Sequence, residues 1–221
     1  MSLYQVSTAG GAPRRVCENC ASNGPRGFSS DGSRVLAQKS YYLDPFLGQI
    51  EQIDIASGEV KVVLSHPNRS LFHPYFSWDD KWMTFKMQLD PGQPDHSHHS
   101  RIYITPVENW VPAGESRWIP LTSGEYSEDK PQLSPDGSTL YFTSNRDGHI
   151  CLWSQRLNPK SKHPEGAPFA IQHLHDQQGT RPWQINFLQF FTELSVARDK
   201  IVTDILEVHS DIWMTQLAPG K

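Results

Sequence analysis

The sequence predicts an all-β fold, a β-propeller of four-stranded antiparallel blades. Three observations predict it. A short motif recurs four times along the 221 residues, an alternating apolar segment follows each copy at a fixed offset, and helical periodicity is nearly absent. Propellers stack such four-stranded units around an axis, so that each sheet buries its faces against its neighbours. The prediction is three complete blades plus two partial ones.

The repeated motif is an apolar residue followed by Ser and, in three copies, by a turn containing Asp. Its four copies are Phe28–Gly32, Phe76–Asp80, Leu133–Gly137 and Leu194–Ala197, with the Ser residues 48, 57 and 61 positions apart. Seven residues after each apolar residue begins a second apolar segment, at Val35, Met83, Leu140 and Ile201. This offset predicts a strand, a tight turn and a second strand in every unit.

A third and a fourth strand are predicted further along each unit. Leu152–Trp153 and Ile212–Trp213 mark the third strand most clearly, and Ile50 and Ile102–Tyr103 match it more loosely. Edge-like fourth strands are predicted at Val60–Leu64, Arg117–Leu121 and Pro168–Ile171. Upstream prolines, which cannot donate to a sheet, mark the start of the first strand at Pro25, Pro74 and Pro131.

The predicted units divide the chain into one propeller domain or propeller fragment. We expect a partial blade at 1–20, blades at about 21–66, 67–124 and 125–176, and a partial blade at 177–218. Because propellers have about 4 to 8 blades, this division predicts a fragment of a longer protein. The strand at Pro13–Val16 is a candidate to complete the last blade. Unpaired edges would otherwise favour a homodimer.

The segment Asp129–Gly148 resembles the TolB-type (WD40-like) propeller repeat. Leu-Ser-Pro-Asp-Gly matches the first hairpin turn of that repeat, and Ser-Asn-Arg-Asp-Gly matches the second, before a strand that carries Leu152–Trp153 here. The resemblance extends over the chain with decreasing quality. It implies a protein-interaction or ligand-sensing scaffold, similar to the C-terminal part of larger bacterial regulators, with a protein or peptide partner and no cofactor.

Composition and motifs exclude several other functions. The net charge of -4 and the scattered Lys and Arg residues argue against nucleic-acid binding. No apolar segment is long enough for a membrane span, and no signal peptide is visible, so the compartment stays open between periplasm and cytoplasm. Neither a Gly-x-Ser-x-Gly turn nor a Gly-rich phosphate loop is present, so we expect no enzyme activity.

Arg26, His73 and Lys130 are the first candidate site. Each lies beside one of the repeat prolines, where the chain enters the innermost strand at one mouth of the propeller channel. Three cationic or titratable groups around one opening predict a surface for an acidic ligand or peptide. Acidic residues in one of the same loops, Glu125, Glu128 and Asp129, would partly neutralise it. The alternative is a set of ordinary solvated rim residues.

A His-rich loop is the second candidate. His96, His98 and His99 follow Asp95 and offer ligands for a divalent metal, against the simpler interpretation of a solvated loop. Some propellers with this repeat resemble pectate-fragment lyases that hold a metal through several histidines. A metal-dependent lyase or hydrolase acting in the channel is therefore the alternative function. His173 and His175, with Asp176, form a weaker pair of the same kind.

The three cysteines predict no disulfide scaffold, because their number is low and odd. Cys17 and Cys20 form one Cys-x-x-Cys pair, and zinc would need two further ligands. We expect both residues in a loop, with Cys17 ending a strand. Cys151 lies in an apolar strand and is predicted to be a small buried hydrophobic residue.

Overall fold

The computed structural model describes residues 2–20, 25–41, 44–90, 99–174 and 193–203. Across these residues the chain forms seventeen strands, β1 to β17 in chain order, and one short 3-10 helix at Glu115–Arg117. Every pairing between strands is antiparallel. The predicted all-β class is confirmed. In the described part of the chain, no helix has the length and apolar character that crossing a membrane requires.

Two four-stranded sheets follow the predicted pattern, with each strand hydrogen-bonded to the next along the chain. The first sheet contains β3 to β6, at Pro25–Phe28, Arg34–Tyr41, Asp44–Asp54 and Val60–Leu64. The third contains β12 to β15, at Glu128–Leu133, Thr139–Ser144, Cys151–Leu157 and Pro164–Gln172. This order arises because short turns join neighbouring antiparallel strands.

The second sheet differs from the prediction at its outer edge. Its inner strands are β7 to β9, at Leu71–Phe76, Trp82–Gln88 and Ser100–Glu108. The expected edge strand Arg117–Leu121 is reduced to β11, Ile119–Pro120, and a second short strand, β10 at Val111–Pro112, also pairs with β9. The 3-10 helix separates the two. Each short strand ends in Pro, which has no N–H for a longer ladder.

A short hairpin lies near each end of the described chain. Strands β1, Leu3–Gln5, and β2, Arg14–Cys17, form the first, and β16, Leu194–Val196, and β17, Ile201–Thr203, form the second. The predicted third strand of the last unit, Ile212–Trp213, lies outside the described residues. Ring closure by the terminal strands, and the division into blades, stay predictions.

The turn after each of the first three motif copies is built by its Ser and Asp side chains. In the third unit, Ser134 Oγ donates to Asp136 Oδ1 at 2.5 Å, and the Ser138 backbone N–H donates to the same oxygen at 3.1 Å. Asp31 makes the equivalent contacts with Ser29 and Ser33 in the first unit. The motif therefore fixes the hairpins locally, because its side chains satisfy the backbone groups that the turn leaves unpaired.

The sheets pack face to face. Leu36 and Ile50 of the first sheet meet Met83 and Phe85 of the second in one buried cluster. A second cluster joins the second and third sheets through Ile102, Ile104, Leu121, Leu133, Leu140, Phe142 and Leu157. A third joins the N-terminal hairpin to the opposite face of the first sheet. Each sheet therefore gains its burial from a neighbouring unit.

The first strands of the units lie side by side on the inner edge. Strand β7 packs against β3 and β12, and β12 packs against β16. The approach is closest at Gly27, where an added Cβ would lie 2.9 Å from Tyr75 Cα and 3.0 Å from the Pro74 carbonyl oxygen. The innermost strands of neighbouring units therefore lie in close contact with one another.

Cys17 ends β2, as predicted, and forms a disulfide with Cys20 that the sequence analysis did not predict. Both residues are buried against Val35, Ala37 and Ile53 of the first sheet. The bond spans a sequence separation of 3, so it fixes one turn and does not cross-link sheets. Cys151 is fully buried at the start of β14 and keeps its thiol.

Candidate ligand site at the channel mouth

Two bulged strands build the candidate site. His73 in β7 and Lys130 in β12 have φ values of 48° and 53°, and both stand directly before a repeat proline. The strand register shifts at the same points, between Phe72 and Tyr75 and between Asp129 and Gln132. Bulges commonly re-aim side chains next to functional sites. Here they bring Lys130 Nζ to 3.3 Å from His73 Nε2, across two neighbouring units.

Asp129 is the buried anion at the centre of this cluster. Its Oδ1 atom contacts His73 Nδ1 in a very short hydrogen bond, and the Lys130 backbone N–H donates to the same atom at 2.8 Å. Its Oδ2 atom lies 3.2 Å from Lys86 Nζ. Burial raises the pKa of Asp129, but His73, Lys86 and Lys130 outweigh burial and hold that pKa well below its ordinary value.

Burial lowers the pKa of His73 to about 4, although Asp129 acts in the opposite direction. The imidazole is therefore neutral at pH 7. A neutral ring has one N–H, and the carboxylate of Asp129 can only accept, so we assign the proton to Nδ1. Nε2 then accepts from the Lys130 ammonium, and the ring links a buried anion to a buried cation.

Glu193 connects this cluster to Arg26. Its Oε1 atom lies 3.2 Å from Lys130 Nζ and 2.5 Å from Arg26 Nη1. The Lys130 side chain is fully buried, whereas that of Glu193 is half-exposed. Burial raises the pKa of Glu193, and Lys130 and Arg26 outweigh it, so that the pKa lies below its ordinary value. Three cations, Arg26, Lys86 and Lys130, thus face two carboxylates, an excess of one positive charge.

A cavity of about 340 Å³ opens beside Arg26, between the innermost strands of four units. Tyr75 and Gln132 line it from β7 and β12, and Ser195 lines it from β16. Aromatic side chains form part of its wall, and Phe28 and Trp78 expose about half of their surface. The cavity therefore combines an apolar rim with a guanidinium group at its inner side.

The structure brings the three predicted residues into one linked network, in which Glu193 joins Arg26 to Lys130 and a direct contact joins Lys130 to His73. His73 and Lys130 are buried, and Arg26 is the member of the three that lines the cavity. Of the acidic residues expected nearby, Asp129 belongs to the network. Glu128 instead lies 2.5 Å from Arg146. Ligand binding by this site stays a prediction.

Four residues of the site were not predicted from the sequence: Lys86, Tyr75, Gln132 and Glu193. One signal was available for the last three. Tyr75, Gln132 and Glu193 each stand directly before the apolar residue of a motif copy, so they occupy the same place in successive innermost strands. Gln132 uses this position to join two units, because its side chain contacts the Leu194 carbonyl and the Val196 backbone N–H of β16.

The predicted histidine sites have different outcomes. His96 and His98 lie outside the described residues, and His99 is exposed with its Nδ1 atom 3.4 Å from an Asp90 carboxylate oxygen. His175 and Asp176 also lie outside the described residues. His173 pairs with Asp147 instead, with 2.7 Å between Nδ1 and Oδ2. A metal at the His96–His99 loop stays a prediction.

Comparison with solved structures identifies the fold. TolB from Acinetobacter baumannii matches 95% of this chain with a TM-score of 0.65 at 17% identity, and a putative TolB from Agrobacterium tumefaciens matches 78% with a TM-score of 0.55 at 24% identity. The fold is TolB-like. The chain spans 44% and 55% of the two TolB chains. The TolB-type resemblance of the repeat is confirmed at the level of the fold.

The TolB-like fold is also shared with enzymes. An oligogalacturonate lyase in complex with manganese matches this chain with a TM-score of 0.50 at 18% identity. The match covers 74% of this chain and 46% of the lyase chain. A segment of 60 residues is 38% identical to the uncharacterized protein Atu1656 of Agrobacterium fabrum. The matched segment covers 27% of this chain and 18% of that protein. No family model matches the sequence.

Proposed function

We propose that this chain is the protein-interaction or ligand-sensing propeller module of a larger bacterial protein, and that it binds a peptide segment at the channel mouth. One observation carries the proposal: Arg26 lies between a buried network with an excess positive charge and an open cavity of about 340 Å³ with aromatic walls. The TolB-like fold supports a scaffold role, since propellers present such openings to partners.

The chemistry of the mouth favours a segment that carries a carboxylate beside an apolar side chain. Arginine binds carboxylates through two parallel hydrogen bonds, and Arg26 already contacts one carboxylate, that of Glu193. Exposed aromatic residues are enriched among the side chains that dominate interface energies, and Trp78 and Phe28 lie on the rim. An acidic group would also offset the positive excess of the network.

Peptide selection on the purified 221-residue chain tests this proposal. Random peptides displayed on phage are selected, and the affinities of the selected sequences are measured by fluorescence anisotropy. We expect the selected peptides to share an acidic residue next to an aromatic or aliphatic one. Their binding should weaken as salt rises, because charge attraction contributes to it.

Two substitutions locate the binding surface. Trp78→Ala and Arg26→Gln should each lower the affinity for the selected peptides by at least about tenfold. Phe169→Ala is the matched control, because it removes an exposed aromatic side chain from the outer strand β15. Equal affinities for the wild type and the two mouth variants would place the binding surface elsewhere and contradict the proposal.

The alternative, a metal-dependent lyase or hydrolase, would need several metal ligands facing the channel. The network contains one histidine among its described residues, His73. Its two ring nitrogens already contact Asp129 and Lys130. The binding module is therefore the better-supported function. Stoichiometric metal that is lost on His98→Ala would instead favour the enzyme.

A further inference from the structure

We propose that Asp147, Cys151 and His173 form a zinc site at one end of the third sheet, away from the channel mouth. The three side chains offer one carboxylate oxygen, one sulfur and one ring nitrogen, and these donor atoms all lie within 4.8 Å of one another. This inference is independent of the proposed peptide site, because the two share no residues.

Regular backbone structure brings the three residues together. Asp147 stands in the turn that joins β13 to β14, and Cys151 is the first residue of β14. The neighbouring residue Leu152 pairs with Gln172, the last residue of β15, so the sheet register places His173 beside Cys151. Sites on strands and tight turns hold their ligands more precisely than long loops do.

Further contacts orient each donor. The backbone N–H of His149 donates to Asp147 Oδ1 at 3.2 Å, which leaves Oδ2 facing His173 Nδ1 at 2.7 Å. The backbone N–H of Leu174 lies 3.4 Å from Cys151 Sγ. The ring of His173 meets Trp153 edge to face, with 6.1 Å between centroids. Such outer contacts fix the orientation of metal ligands and raise metal affinity.

The donor set suits zinc better than the harder cations. A thiolate, an imidazole and a carboxylate are the common zinc ligands, whereas calcium and magnesium take oxygen ligands. Two anionic ligands and one neutral ligand also balance the charge of a divalent ion, so a half-buried site would hold no net charge. The neighbouring cation, Arg146, is paired with Glu128 at 2.5 Å and does not oppose the ion.

The geometry requires little rearrangement. Zinc binds these ligands at about 2.0 to 2.3 Å, which places tetrahedral donors roughly 3.5 Å apart. Zinc would therefore draw the most distant donors together by at most about 1.3 Å and separate the close Asp147–His173 pair. Three protein ligands leave a fourth position for water or for another group.

Zinc titration of the 221-residue chain, with its Cys17–Cys20 disulfide intact, tests the site, with a chromophoric chelator as competitor. We expect one zinc per chain. His173→Ala and Asp147→Asn should each lower the zinc affinity by at least about tenfold. The control is His163→Ala, in an exposed position near the start of β15, which should leave the zinc affinity unchanged. Failure of the wild-type chain to bind zinc, or unchanged affinity in both ligand variants, would overturn the proposal.

Cobalt supplies a signature specific to the thiolate. Cobalt bound at this site should show a sulfur-to-metal charge-transfer band in the near ultraviolet, and Cys151→Ala should abolish it. The half-exposed His173 keeps the test valid if the buried Cys151 variant fails to fold. A variant with His96, His98 and His99 all changed to Ala should retain zinc. Loss of zinc in that variant, with retention in His173→Ala, would assign the metal to the loop and overturn the proposal.

Discussion

At the scale of single residues, His73 joins opposite charges without carrying a charge itself. Its ring lies between the carboxylate of Asp129 and the ammonium of Lys130, and only 7% of the surface of His73 is exposed. A protonated ring there would place a second cation 3.3 Å from Lys130 Nζ. The arrangement is therefore stable only while the imidazole is neutral, which makes the network sensitive to acid.

We expect the protein to lose about 2 kcal/mol of unfolding free energy between pH 7 and pH 4.5 through His73. The pKa of His73 is about 4 in the folded chain, against an ordinary value of 6.5. Between these values the unfolded chain binds the proton and the folded chain does not, so stability falls as pH falls. Urea denaturation at several pH values measures this slope.

His73→Asn provides the comparison for that slope. Asn tolerates the left-handed backbone of position 73 and does not titrate. The variant should therefore be less stable than the wild type at pH 7, but its free energy of unfolding should change less with pH. His163→Asn, at an exposed position, should keep the wild-type slope. The assignment is wrong if His73→Asn leaves the slope unchanged. Asp129 acts separately, because its depressed pKa removes stability only below about pH 4.

At the scale of elements, the hairpin turns of the first three motif copies are fixed by their own Ser and Asp side chains. Asp136 accepts from Ser134 and from both the backbone and the hydroxyl group of Ser138. The hydrogen bond from Ser134, together with those from Ser138, lowers the pKa of Asp136 to about 2. Because this residue is exposed, water competes for these contacts, and they contribute modestly to stability.

Asp136→Ala should therefore destabilise the protein by about 1 kcal/mol, through loss of the hydrogen bonds that close the turn. Asp199→Ala is the matched control. It removes an exposed carboxylate from the fourth unit, whose motif lacks the Asp-Gly turn, and should change stability by less than about 0.5 kcal/mol. Urea unfolding midpoints measure both changes. Equal midpoints for the two variants would show that the turn contacts are not stabilising.

The elements were predictable because their signals are local. The turn at Asp136 and the alternation at Leu140 lie within seven residues of Leu133, and the strands form there as predicted. The site was only partly predictable, because Arg26 and Glu193 are 167 residues apart in sequence. Their contact depends on how units stack and on bulges at His73 and Lys130, which the sequence pattern does not encode.

At the scale of the whole molecule, a short hairpin packs against the sheets at each end of the described chain. The N-terminal hairpin covers one face of the first sheet, and β16 contacts β12 at the other end. Apolar side chains remain exposed at both ends, among them Val6 with 58% and Val202 with 59% of their surface. Unpaired strand edges next to apolar residues promote association between chains.

Ring closure would remove the strand edges on which the predicted homodimer depends. If the terminal strands complete one blade, light scattering should give the mass of a 25.1 kDa monomer. Hydrogen exchange should then show protected amides in Arg14–Cys17 and Ile201–Thr203. A concentration-dependent mass near twice that value, with rapid exchange in both strands, would contradict closure and support the homodimer.

Gly27 has a consequence for the width of the cavity beside Arg26. The main chains of the first and second units almost touch there, since even a methyl group at position 27 would meet Tyr75 Cα at 2.9 Å. Any larger residue at position 27 would clash with the main chain of β7 and force the two units apart. The width of the cavity beside Arg26 thus depends on the absence of a side chain at position 27, and a partner fitted to that cavity would be sensitive to the addition of one carbon atom.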